Sequence, residues 1–405
     1  MVTRAKKSVL IVGCLILLSQ IPFAYRRYKL GRLNAAIQSV NSSRRSSSNV
    51  DESAAFVEYQ GVIHVHSFLG GHSTGTFQEI ISAAQSNRLQ FVIMTEHVET
   101  QIDTSAMTLK GIHGGVLFVN GNEVSTKTED RLLEIPGDAS LGVADKASNS
   151  EVLAGARTRG ALSIIAYPDE FKGWENSYDG IEVYNVFTNS KRINRFVAFF
   201  DAIWSHRSYS SLVFASYLQR PTDSLKKWDE LLSHNKLVAV AGNDSHSNVG
   251  ISLNDRTGNE LVGLQLDPYE MSFHLVRVHV LIPRGKGLDV NSLIEAVRGG
   301  HCFIGFDLLG DTSGFRFDVH NSSGTRIQGD EIPFRNETYL KVTLPVSGRV
   351  VIFQNGGVVL DEVGVTSKEF KVTERGVYRV EAYLPQLGQS LGEQSWIISN
   401  PIYVK

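Results

Sequence analysis

The sequence predicts an α/β fold built on a closed β/α barrel, followed by a small all-β sandwich and preceded by one transmembrane helix. Three observations carry this expectation. Between about residues 61 and 246, apolar β-type runs alternate with segments of helical spacing, the pattern of parallel strands joined by crossover helices. After about residue 310 the runs become short, alternate in polarity and are separated by turn signals, as in a sandwich. At the N-terminus a single apolar stretch is bracketed by basic residues.

That stretch, residues 9–25, is interrupted only by Gly13, Ser19, Gln20 and Pro22, with Arg4, Lys6 and Lys7 before it and Arg26, Arg27, Lys29 and Arg32 after it. It is near the lower length limit for a membrane span. Residues 1–30 are therefore expected to be an uncleaved anchor. A cleaved signal peptide competes, although no small-residue cleavage site precedes the basic cluster. Ile11-Val12-Gly13-Cys14 resembles a lipoprotein processing box, but its cysteine lies mid-run. Basic residues flank both ends in similar number, so charge does not decide orientation; an extracytoplasmic catalytic part on a single-pass anchor is the expectation. Residues 31–55, rich in Asn, Ser and Arg, read as a disordered tether.

Residues 56–308 are expected to form the barrel. Helical faces appear at Phe77, Ile80, Ile81 and Ala84, at residues 152–159, and at Leu225, Trp228, Leu231 and Leu232. Residues 309–405 contain alternating runs at 339–344, 349–353, 369–372 and 377–383, with Asn355-Gly356-Gly357 and Arg375-Gly376 as turns. In 405 residues the net charge is −2 and only Cys14 and Cys302 are cysteines. The charge offers no footprint for nucleic acid, and two distant cysteines exclude a disulfide framework.

The chemistry sits at the ends of the strand-like runs. Gly61-Val62-Ile63-His64-Val65-His66 ends in two histidines at i and i+2, which leave a strand on one face and can clasp an ion. His72 follows in a loop with Gly70, Gly71 and Gly75. Thr95-Glu96-His97 ends a second run, Gly121-Asn122-Glu123 a third, and Gly242-Asn243-Asp244-Ser245-His246 a later one. Barrel strands deliver their C-terminal residues to one face. Imidazoles mixed with carboxylates suit Zn, Mn or Fe, and a carboxylate such as Glu123 can bridge two ions.

In this order and spacing, the motifs resemble the polymerase and histidinol phosphatase (PHP) domain over about residues 58–305. With the C-terminal sandwich and the ending Trp396-Ile397-Ile398-Ser399-Asn400-Pro401-Ile402-Tyr403, the chain looks most like the CehA/McbA-type metallohydrolase branch. The resemblance implies a distorted seven-stranded β/α barrel and metal-dependent hydrolysis, typically of phosphoesters and, in this branch, sometimes of amide or carbamate bonds. It also implies one ion held by His64, His66, Glu123 and Asp244 and another by His72, His97 and His246. The family's further Ala-His-Pro segment is Ala166-Tyr167-Pro168 here, and no histidine lies between Glu123 and Tyr167, which points to one or two ions rather than three.

The expected function is a phosphoesterase-type hydrolase using a metal-activated water on a small-molecule or other phosphoester substrate. Hydrolysis of an amide, carbamate or ester at the same site is the alternative. A non-catalytic binding or scaffold protein with a degraded barrel is the contrast. Glu96 is expected to orient a ligand or shuttle a proton, and Tyr167 to donate to a substrate oxygen or to fill the ligand's space. Glu182 and Asn185, ending another strand, are expected to line the substrate pocket.

Overall fold

The computed structural model describes residues 2–44, 55–138, 147–191, 194–215, 217–248, 250–254, 260–265, 267–389 and 391–405. Helix α1 (Val2–Ser43) precedes strand β1 (Phe56–Val65) and helix α2 (Phe77–Ser86). Next come β2 (Phe91–Met94), β3 (Glu96–His97), α3 (Thr104–Met107), β4 (Gly111–His113), β5 (Val116–Val119), β6 (Asn122–Ser125) and β7 (Arg131–Ile135). Helix α4 (Asn149–Arg159), β8 (Leu162–Ala166), β9 (Gly180–Asn185), α5 (Val186–Lys191), α6 (Arg195–Ala215), α7 (Thr222–Leu232) and β10 (Val238–Ser245) follow. A hairpin of β11 (Gly250–Asn254) and β12 (Glu260–Gln265) leads to α8 (Tyr269–Leu275), β13 (Arg277–Pro283), α9 (Val290–Arg298) and β14 (Cys302–Gly305). The C-terminal strands are β15 (Arg316–Asn321), β16 (Gly324–Ile327), β17 (Glu331–Ile332), β18 (Tyr339–Gln354), β19 (Gly357–Lys371), β20 (Gly376–Tyr383), β21 (Ser395–Ser399) and β22 (Ile402–Val404).

Among the described residues the architecture is mixed α/β, with one large mixed sheet and the separate β11–β12 hairpin. Parallel pairs join β1 to β2 and to β10, β2 to β5, β3 to β6, β8 to β9 and β9 to β10, while β7 lies antiparallel between β6 and β8. The first half of β1 pairs with β13, β13 with β14, and β14 with β21. The C-terminal strands therefore continue the sheet of the central region, and both share one buried core. Asn400 fastens them at a point: its side chain bonds the backbone of Ala239 and of Cys302.

Strand β7 forms at a run, Arg131-Leu132-Leu133-Glu134-Ile135, that the sequence pattern does not single out. Helix α2 forms where the spacing placed it, started by a reciprocal cap between Thr76 and Glu79 and burying Ile80, Ala83 and Ala84. Helix α1 is long and apolar enough to cross a membrane, with Val9, Leu10 and Leu17 about 70% exposed.

The disordered tether expected at 31–55 is corrected over its first part. Helix α1 runs unbroken to Ser43, and Leu30, Ile37 and Val40 are buried in the main core. The composition is polar, but these three apolar residues, near i, i+7 and i+10, share a helix face, and that face is enough to dock it. The remainder, 45–54, lies outside the described residues.

Candidate metal centre

The site gathers at the C-terminal ends of the central strands. A second core cluster draws Ile63, Ile93, Val119, Leu133, Ile164 and Val240 from six strands, and the titratable residues follow those positions in the chain. His64 and His66 do not meet through simple i, i+2 alternation. Ile63 lies in one cluster while Val62 and Val65 share another, so the facing parity flips between Ile63 and Val65. The pairing of β1 with both β2 and β10 shifts register at that step. His64, with φ 68°, is the extra residue of this bulge. Tyr167 (φ 49°) and Asp244 (φ 47°) also occupy the left-handed region. Non-glycine residues there cost of order 1–3 kcal/mol each and cluster at functional sites.

The atoms converge tightly. His64 Nε2 lies 3.2 Å from Glu123 Oε2 and 3.5 Å from Asp244 Oδ1, and His66 Nε2 lies 3.3 and 3.5 Å from the same two atoms. Ligands about 2.1 Å from a tetrahedral ion lie about 3.4 Å from one another, so these separations fit a single ion. Among the described residues, both ring nitrogens of His66 and Oδ1 of Asp244 are buried without a hydrogen-bond partner, a costly arrangement that a cation would relieve. His64, His66, Glu123 and Asp244 could thus hold a metal ion.

Surrounding groups orient this set. Glu182 Oε1 accepts from His64 Nδ1 at 2.7 Å, which turns Nε2 toward the cluster, the usual carboxylate support of a metal-binding histidine. Tyr167 donates to Asp244 Oδ2 at 2.7 Å, and Asn185 donates to Glu182 Oε2 at 2.9 Å. Burial opposes charge on His64, but Glu182, Asp244 and Glu123 outweigh it and hold the imidazole well above its usual range. Burial likewise opposes ionisation of Glu123, yet His64 and His66 hold its carboxyl well below the carboxylate range.

His66, His97 and His246 form a second group. The His66 ring stacks on those of His97 and His246 at 4.5 and 4.3 Å. Burial, with His66, His246 and Arg131, pushes His97 down to about 3 against the pull of Glu123. Burial and His66 push His246 down to about 4 against Asp244. Both rings are therefore neutral at neutral pH and present lone pairs. Glu123 Oε2 lies 3.5 Å from His97 Nδ1 as well, so one carboxylate oxygen touches both groups.

Several expectations change. The second set was expected to be His72, His97 and His246; the structure puts His66 in place of His72, which is exposed with its ring 5.0 Å from that of His97. Glu96 is not aimed at the cluster: Oε1 accepts from Ser67 Oγ and Thr108 Oγ1, and Oε2 from the Ser67 amide. Neighbouring strand residues face opposite sides, so where His97 faces inward, Glu96 braces the turn after His66. Tyr167 spends its hydroxyl on Asp244 rather than on a substrate oxygen. Glu182 and Asn185 line a cavity of about 270 Å³, but their polar atoms are committed to His64, Asp244 and the Thr188 amide rather than to substrate.

Sequence reasoning missed Arg131. A cavity of about 610 Å³ is lined by His72, His97, Glu123, Arg131, Phe187 and His246 among others. Arg131 is partly exposed there, its guanidinium 3.6 Å from Glu123 Oε1. Nothing in Arg131-Leu132-Leu133-Glu134-Ile135 marks it as a pocket residue until β7 is known to adjoin β6.

No family model matches the chain, and no curated protein matches it. Among solved structures the chain is similar to PsfC from Pseudomonas syringae PB-5123, at 11% identity and a TM-score of 0.39, over 60% of this chain and 89% of that one. A likeness of that degree carries no argument about function.

Proposed function

We propose that this chain is a membrane-anchored, metal-dependent hydrolase of the PHP type, acting on phosphoesters. The observation that carries the reading is the buried quartet of ligand atoms, 3.2 to 3.5 Å apart across the histidine and carboxylate pairs, with the ring nitrogens of His66 and Oδ1 of Asp244 lacking a hydrogen bond among the described residues. The barrel reading is supported by the pairing order, which passes from β1 through β2 and its continuation β3, β5 and its continuation β6, then β7, β8 and β9 to β10, whose other neighbour is β1. The exposed apolar length of α1 supports the anchor.

His64, His66, Glu123 and Asp244 would hold one divalent ion, and His66, His97 and His246 offer ligands for a second. A bound ion supplies Lewis acidity and a water of lowered pKa. The chain's own residues do the rest. Glu182 and Tyr167 fix the two ligands they touch, so that little reorganisation remains when charge develops. Arg131 places a guanidinium on the cavity wall beside Glu123, where it would meet two oxygens of a phosphoryl group. This cation favours a phosphoester over the amide and carbamate alternatives, whose scissile groups are uncharged.

The test is hydrolysis of generic phosphomonoesters, phosphodiesters, carboxyl esters and amides by the full chain with Zn, Mn or Fe, with and without a chelator. Metal-dependent release of phosphate supports the reading. Turnover only of amides or esters moves the site to the alternative chemistry, and no turnover by metal-loaded protein favours a binding protein.

A further inference from the structure

Helix α6 packs alongside α1 for much of its length. Phe200 stacks on Phe23 with centroids 4.8 Å apart, Asp201 takes a two-pronged ion pair from Arg26, and Arg27 donates to the Trp204 carbonyl and to Ser208. Tyr209 then lies against Gly31. These contacts advance together, so the helices run parallel. With Phe200 level with Phe23, Phe199 sits level with about residue 22. Arg195 lies about 7.5 Å nearer the N-terminal end of α1. The first turns of α6 thus flank the last part of the apolar segment.

Two apolar residues of α6, four apart and so on one face, are turned outward there. Phe199 is 42% exposed and Ile203 60%. Just beyond, Tyr25 and Tyr28 of α1 are 57% and 59% exposed, and Trp204 of α6 donates its indole N–H to Gln20. Tyrosine and tryptophan collect where a bilayer meets water. Phe199 is on the apolar side of that level, and Ile203 is at it.

We propose that α6 is a second membrane-contacting element, its Phe199 and Ile203 seated in lipid beside α1. The inference rests on the anchor reading of α1, since the continuity of the two apolar faces is what selects a bilayer as the occupant. It has a consequence for the candidate site. Phe187 of α5 lies 6.1 Å, ring to ring, from His246, and α5 ends at Lys191, four residues before α6 begins. Four residues span at most about 14 Å. The wall of the cavity is therefore tied to the first turn of α6 by a short link.

The experiment uses the full chain with Cys14→Ser, which leaves only the buried Cys302, and a nitroxide placed at Phe199→Cys. The protein is reconstituted in vesicles of phosphatidylcholine and phosphatidylglycerol. Access of the label to oxygen and to a water-soluble nickel chelate is compared with labels at Leu15→Cys in α1 and Val363→Cys in β19, which is 66% exposed. The expected result is an oxygen-to-nickel ratio at Phe199 several-fold above that at Val363 and similar to that at Leu15. Ile203→Cys, with an intermediate ratio expected, repeats the test if Phe199→Cys folds poorly. Lipid-like access at Leu15 with water-like access at Phe199 overturns the role of α6 alone. Water-like access at Leu15 overturns the anchor reading and this inference with it. Low access to both reagents at Phe199, with broadening between labels, means that a second copy covers the face and also overturns it.

Discussion

Replacing Ile37 by Ala separates a docked helix from a tether. Ile37 is 7% exposed and belongs to the main core. A buried isoleucine cut to alanine costs about 2–5 kcal/mol through lost transfer energy and the cavity left behind. Because α1 lies at the margin of the core, where neighbours can relax, the expected loss is in the lower half, about 2–3 kcal/mol. The neighbouring Gln38 is exposed, and Gln38→Ala should stay within about 0.5 kcal/mol. Urea unfolding of a chain beginning at Ala24, followed by tryptophan fluorescence, measures both. The midpoint should fall for Ile37→Ala with little change in slope. If both substitutions leave it unmoved, α1 beyond the apolar run is a tether after all and the packing of Leu30, Ile37 and Val40 contributes nothing.

By the same reasoning, a chain beginning at residue 54 should aggregate or unfold at lower urea than one beginning at Ala24; equal stability of the two would contradict the docking. His279 is buried between Glu58 and Asp307 at 2.9 and 3.0 Å. Burial opposes its charge, but the two carboxylates push it up to about 9. Since the folded value exceeds the unfolded one of about 6.5, this stabilisation is complete below about pH 6.5 and is lost as pH rises through about 9, roughly 3 kcal/mol in all. His279→Gln should be less stable at pH 6 and lack that slope, as pH-dependent urea midpoints would show; an unchanged slope would refute the assignment. Glu182→Gln should weaken metal binding about 10–100-fold with the fold retained, read by competition with a chromogenic chelator, and unaltered affinity would remove its role in orienting His64. Arg131→Ala should raise KM for a phosphoester more than it lowers kcat; an equal effect on an uncharged ester would argue against phosphate recognition.

The sequence made the strand ends and most of their ligands legible because apolar run followed by His, Glu or Asp is a local pattern, and the ends of parallel strands meet. It did not reveal how His64 and His66 come together. Period-two alternation placed them on one face, whereas a bulge with a left-handed His64 achieves it, and bulges leave no signal in a run as short as Val62-Ile63-His64-Val65. The family resemblance implies His72 for the second group, whereas in the structure it is His66 that stacks on both His97 and His246. The partners that orient the ligands were beyond sequence reasoning for a different reason. Glu182 and Tyr167 acquire their roles from His64 and Asp244, residues 118 and 77 positions away. In α1 the polar composition of residues 31–43 outweighed three well-spaced apolar residues, although one buried face is sufficient to dock a helix.

The most direct test of the central claim is the metal content of the chelator-stripped chain after titration with Zn or Mn, by mass spectrometry of the elements, beside the same measurement on Asp244→Asn. Asp244 supplies charge at the buried quartet, and its amide keeps the shape. The unsubstituted chain should retain at least one ion per chain after gel filtration and gain thermal stability in proportion to the free metal, and Asp244→Asn should retain less and gain little. Equal retention by the two proteins, or a stripped chain whose stability metal does not change, would contradict the assignment of His64, His66, Glu123 and Asp244 as a metal centre.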